Sequence, residues 1–122
     1  MTEFRTRVAD IARALPGAAV DDPWGGGHDA WKVGGKMFAC IGSVMRGVCV
    51  KTPDVATATL LIDVGHAVKA PYFHHSWVLL PESVETAELR HRIHTSYRLV
   101  RAGLPAGLRK SLPAPHPSYD QK

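Results

Sequence analysis

The chain has 122 residues, 45% of them apolar and 21% charged, and a formal net charge of +4. That length and composition suit one domain with a real core and exclude a wholly disordered chain. No apolar run approaches the ~20 residues of a membrane span, and the N-terminus lacks a basic start followed by an apolar stretch, so the expectation is a cytoplasmic protein with no membrane partner.

Thr2 and Glu3 suit the start of a helix, and Phe4, Val8, Ile11, Ala12 and Leu15 follow as one apolar stripe at helical spacing. Pro16-Gly17 stops it, and residues 18–20 read as a short strand. The loop Asp22-Pro23 to Gly25-Gly26-Gly27 lacks the frame of a phosphate-binding motif and reads as a turn. Residues 28–33 and 36–41 flank Gly34-Gly35, a strong hairpin signal, and residues 48–51 continue as a second hairpin. Thr52-Pro53-Asp54 reads as a cap, a first helical position and an acidic first turn, with the helix running through Val64 to Gly65. Residues 67–70 and 76–80 read as two more strands. Ser83 is the expected cap of a long helix to about Ala102, closed by Gly103 or Gly107.

The expected fold is therefore a two-layer α+β domain over residues 1–110. It has an antiparallel sheet of five to six strands packed by three helices, in the order α-β-β-β-β-α-β-β-α. Residues 111–122 contain Pro113, Pro115 and Pro117 and little that can be buried, so they are expected to form a flexible tail.

A Gly34-Gly35 turn places Trp31 opposite Phe38 and Val33 opposite Lys36. A turn on Val44-Met45 pairs Ala39 with Val50 and Cys40 with Cys49. One face then carries Met37, Ala39, Ile41, Val48 and Val50, and the other Trp31, Val33, Lys36, Phe38, Cys40, Cys49 and Lys51. Both are apolar enough to be core, so the pattern leaves open which one the helices cover.

No catalytic residue, cofactor or metal is expected. There is no GxSxG motif, neither cysteine stands at a helix start beside a base, and the pairs His74-His75 and His91/His94 lack further ligands at a useful offset. Cys40 and Cys49 read as inert core thiols.

Charge is uneven. Residues 1–65 hold seven basic and seven acidic side chains, whereas residues 66–122 hold eight basic and four acidic. In the last long helix, Leu89, Ile93, Tyr97, Val100 and Leu104 form the stripe to be buried. Beside it, Arg90, His94, Arg98 and Arg101 recur at i, i+4, i+8 and i+11, a cationic row about 16 Å long. With the hairpin lysines Lys36 and Lys51, such a row fits a polyanion edge better than a single small acid. If the row is solvated, replacing Arg98 and Arg101 leaves stability nearly unchanged.

Several segments resemble the MmcQ/YjbR-like family. The stretch His28-Asp29-Ala30-Trp31-Lys32-Val33-Gly34-Gly35-Lys36-Met37-Phe38-Ala39 is similar to its aromatic–turn–Lys-hydrophobic-Phe-Ala segment. Val50-Lys51-Thr52-Pro53 is similar to its Lys-x-Pro junction. Ala70-Pro71-Tyr72-Phe73 with Ser76-Trp77-Val78, and then Ser96-Tyr97, follow in family order, so the resemblance spans roughly residues 1–104. It implies a small α/β fold likened to bacterial frataxin and secretion-chaperone architectures, and DNA binding through a double-wing arrangement of hairpins. It carries family positions onto Lys36, Phe38, Lys51, Trp77 and Tyr97. The chain departs from the family in its three-glycine loop, its short loop before Trp77 and its Pro-rich tail.

Two function classes follow. The first is a non-enzymatic, sequence-tolerant DNA-binding domain using Lys36, Lys51, Arg90, His94, Arg98 and Arg101. The alternative is a small-molecule or protein-binding module with an aromatic cleft of Trp31, Trp77 and Tyr97.

Overall fold

The first helix, α1 (Thr2–Arg13), is followed by β1 (Ala18–Asp21), β2 (Asp29–Val33), β3 (Lys36–Ile41) and β4 (Val48–Lys51). Then come α2 (Val55–Asp63), β5 (Val68–Lys69), β6 (Trp77–Leu80), α3 (Thr86–Ala102) and a short α4 (Ala106–Ser111). The computed structural model describes residues 2–43 and 46–113, so the proposed turn on Val44-Met45 and the tail after Pro113 lie outside the described residues. The six strands form one antiparallel sheet in the order β1-β2-β3-β4-β6-β5. The two-layer α+β reading holds, with α4 added. Gly103 ends α3, and Gly107 lies inside α4, where a glycine-containing hexamer gives little helical signal. Of the residues assigned to the expected tail, Ser111 closes α4 and Leu112 packs on the core.

The β2–β3 hairpin turns on Gly34 and Gly35 at φ +57° and +80°, the positive values a two-residue turn of this kind needs. Val33 faces Lys36 as the turn dictates. The register then shifts, so that Lys32 faces Met37 while Trp31 faces Ala39. Phe38 is the extra residue of a β-bulge, and the expected Trp31–Phe38 pair does not form. The bulge reverses the parity of one half of the hairpin. Trp31 and Val33 therefore share a face with Ala39, Ile41, Val48 and Val50, whereas Met37 joins Cys40 and Cys49.

The helices cover the first of these faces. α3 lies across β2, β3 and β4 with α1 beside it, and α2 packs on β5 and β6. The α1 stripe Phe4, Val8, Ile11, Ala12 and Leu15 is buried as its spacing predicts, and so are Leu89, Ile93, Tyr97 and Leu104 of the second stripe. Ser96 locks α3 onto the sheet. Its hydroxyl donates to the Phe38 carbonyl at 2.7 Å and accepts from the Lys51 N–H at 2.9 Å. One buried side chain thus serves two backbone groups at the bulge and at the end of the β3–β4 ladder.

Two caps differ from expectation. Asp54, not Thr52, caps α2, accepting from the Thr57 N–H at 2.7 Å, and this bond lowers its carboxyl pKa. Thr52 is drawn inward because its hydroxyl and N–H both donate to the Ser76 carbonyl, at 2.7 and 2.8 Å. α3 starts after Glu85, with no side-chain cap. Tertiary bonds fix its entry: Arg7 donates to the carbonyls of Glu82 and Val84 and to the Thr86 hydroxyl.

Candidate functional site

The cationic row on α3 is not one solvated line. Arg90 is exposed, His94 and Arg98 are half-buried, and Arg101 is 8% exposed. Arg101 turns inward, donating to the Tyr97 hydroxyl at 2.9 Å and to the Pro113 carbonyl at 2.7 Å. It is a packing residue that ties the end of the described chain to the core. Arg98 donates to the Thr95 hydroxyl at 3.3 Å, and its Nε is buried without a hydrogen-bond partner. Burial lowers the His94 pKa, and the nearby cations Arg90, Arg98 and His91 lower it further, so the imidazole charges only below the usual histidine range.

The two hairpin lysines lie apart. Lys36 is exposed at the tip of the β2–β3 hairpin, whose Gly34 approaches Leu104 in the link after α3 and Leu108 of α4. A Cβ placed on Gly34 would come within 2.6 Å of Leu104 and 3.3 Å of Leu108. Lys36 follows Gly34 by two residues, and Arg109 and Lys110 follow Leu108 directly. Lys51 points to the opposite side of the sheet, where its Nζ is 3.4 Å from the Ser76 hydroxyl.

The expected aromatic cleft does not assemble. Trp31 and Tyr97 are buried in the helix-covered core, with the Arg13 guanidinium 5.5 Å above the Trp31 ring. Trp77 lies on the other face, stacked on Phe73 with ring centres 4.7 Å apart. The β-bulge causes the separation, because it turns Trp31 to the helix side.

That other face is only partly covered. Cys40, Cys49 and Ala70 are buried on it, packed by Met37, Phe73, Trp77 and Leu79. Beside them opens a cavity of about 420 Å³ walled by Trp24, His28, Met37, Cys40, Tyr72 and Phe73. Its signal in the sequence was the pair Pro23-Trp24 and Pro71-Tyr72. These are large aromatic residues in turn segments that no apolar stripe recruits.

A serine–histidine contact occurs near the cavity. The Ser76 hydroxyl is 2.9 Å from His74 Nδ1, which also accepts from the Ser76 N–H at 3.1 Å. Ser76 is 4% exposed, so no substrate reaches its oxygen, and the pair works as a turn brace. Among the described residues no three His, Cys, Asp or Glu side chains converge as a metal site. None of the described helices is long and apolar enough to cross a membrane.

Cys40 and Cys49 face each other across β3 and β4 as free thiols. Burial pushes Cys40 up to about 11, with Asp29 adding to the effect, and Cys49 up to about 12, with Cys40 adding to it. Iodoacetamide at pH 7.5 is therefore expected to alkylate both at least about a hundredfold more slowly in the folded protein than in urea. Equal rates in the two states, read by mass spectrometry, would contradict the burial.

A helix-covered, six-stranded antiparallel sheet with one open face and a cation-rich C-terminal helix defines the class of domain. A family model described as YjbR matches residues 13–99, and the chain belongs to this family. In fold it is similar to the crystal structure of Deinococcus radiodurans protein DR2400, described with a DUF419 family-model domain. The TM-score is 0.77 and the identity 19%, over 94% of this chain and 93% of that one. No curated protein matches the chain.

Proposed function

We propose that this YjbR-family domain is a non-enzymatic DNA-binding protein that grips phosphates with little base readout. The supporting observation is the charge of its C-terminal part. Residues 89–113 contain six arginines and lysines and no acidic residue. Arg90 and Arg98 stand about 12 Å apart along α3, by helical rise. His94 lies between them, while Arg109, Lys110 and the hairpin-tip Lys36 adjoin the end of the same helix. Among the described residues, no carboxylate lies within ion-pair distance of the five arginines and lysines of this set, Arg90, Arg98, Arg109, Lys110 and Lys36. Cations with no carboxylate beside them release counterions when they meet a polyanion. Arg101 and Lys51 leave the interface, the first committed to Tyr97 and the second facing away.

Duplex DNA titrated at several salt concentrations tests the reading. Arg90→Ala/Arg98→Ala is expected to reduce the slope of log affinity against log salt by about two. Lys51→Ala is expected to leave it unchanged. Acidifying below the usual histidine range should steepen the wild-type slope as His94 gains its charge, and His94→Gln should remove that part of the change. Equal slopes for wild type and the double arginine variant would overturn the assignment.

A further inference from the structure

We propose that the cavity on the open sheet face binds a neutral, flat aromatic molecule bearing one hydroxyl group. Its volume of about 420 Å³ lies in the range of small-molecule sites, and three of its walls are aromatic. Among the described residues no lysine, arginine or carboxylate lines it, so no permanently charged group there compensates a ligand charge for its lost hydration. The chemistry offered is stacking against Trp24, Tyr72 and Phe73, contact with the soft sulfur of Met37, and one imidazole.

Two features of the walls have no role in the fold. Tyr72 is fully exposed, yet its backbone is held at φ +71°, a conformation unfavourable for a bulky residue. The fold gains no packing from that ring, and the strain serves to hold it at the rim. Trp24 is 58% exposed on the facing rim, its ring 4.8 Å from that of His28. The loop that presents it is fixed by Asp22, whose carboxylate accepts from the N–H groups of Gly26 and Gly27 at 3.3 and 2.8 Å. The rim is therefore built before any ligand arrives.

The imidazole supplies direction. His28 Nδ1 is buried without a hydrogen bond and lies 3.5 Å from Asp22 Oδ1. A carboxylate on that side favours the proton on Nδ1 and leaves Nε2 as an acceptor. A hydroxyl on the ligand donates to such a nitrogen, and a carboxylate on the ligand does not. The cavity is on the side of the sheet away from α3, so this inference is independent of the nucleic-acid reading.

The probe is 2-naphthol, titrated into the protein by calorimetry with amide chemical shifts recorded in parallel. Saturable 1:1 binding below about 1 mM is expected, with shifts at Trp24, Met37 and Phe73. Tyr72→Gly, which removes an exposed ring and relieves the backbone, is expected to weaken binding at least tenfold without loss of folding. 2-Naphthoate is expected to bind at least tenfold more weakly than 2-naphthol. The DNA salt slope of Tyr72→Gly should equal that of wild type. Failure of 2-naphthol to saturate would overturn the proposal. So would equal binding by Tyr72→Gly, or naphthoate binding as tightly as naphthol. A concentration-dependent dimer abolished by Tyr72→Gly would overturn it in favour of a second copy of the chain.

Discussion

Gly47→Ala is expected to destabilise the protein by at least about 3 kcal/mol, enough to leave a marginal domain largely unfolded. Gly47 is buried at φ +141°, immediately before β4. A Cβ there would run into the backbone carbonyl oxygen of Leu80 and also press on the Leu79 side chain. Leu80 is the β6 partner of Val48, so the obstacle is the sheet itself and not a side chain that can rotate away. Relief requires β4 and β6 to separate at the centre of the core. Gly35→Ala is the control. Gly35 also has positive φ, +80°, but a Cβ there meets nothing within 4 Å. It should lose only about 1 kcal/mol, the backbone cost without the collision. Urea denaturation of both variants reads the difference. Equal midpoints would show that the close approach at Gly47 is not a constraint.

Much of this fold was legible because local signals agreed with the tertiary answer. Gly34-Gly35 fixed a hairpin, and the α1 stripe named its buried face residue by residue. What was not legible depended on contacts distant in sequence. The bulge at Phe38 has no local signature, and its displaced carbonyl is served by Ser96, 58 residues away. A single added residue then reversed the side on which Trp31, Val33 and Met37 lie, and with it the expected aromatic cleft. Thr52 was read as a cap because its side chain suits one, yet the Ser76 carbonyl claims the same hydroxyl. Among the candidate site residues, the i, i+4, i+8 pattern placed Arg90, His94 and Arg98 on one side of α3. It could not show that Arg101, three residues further on, turns inward, because that depends on where Tyr97 and Pro113 lie. The open-face cavity is built from three separate segments, and only its isolated aromatics leave a signal in the sequence.

Arg101 and Tyr97 carry the second large effect. Tyr97 is fully buried, meets Phe38 edge-to-face with ring centres 5.4 Å apart, and donates its hydroxyl proton to the Pro16 carbonyl at 2.5 Å. The same oxygen accepts from Arg101, which also holds Pro113. One side chain thus joins the segment after α1, the bulge of β3 and the end of the described chain. Tyr97→Ala is expected to lose about 3–5 kcal/mol, as large aromatic deletions in cores do. Tyr97→Phe keeps the ring but strands the Pro16 carbonyl and one Arg101 donor, for about 1–3 kcal/mol. Arg101→Ala should lose about 2 kcal/mol, contrary to what a solvated row would give, because it removes stem packing and two hydrogen bonds together. Arg90→Ala, on the exposed side of the same helix, should stay within about 0.5 kcal/mol. A double-mutant cycle on Tyr97→Phe and Arg101→Ala separates the pair from its surroundings. A coupling of at least about 0.5 kcal/mol is expected for groups in direct contact. Additive losses would mean that the two side chains stabilise the core independently, and a neutral Arg101→Ala would return Arg101 to the cationic surface.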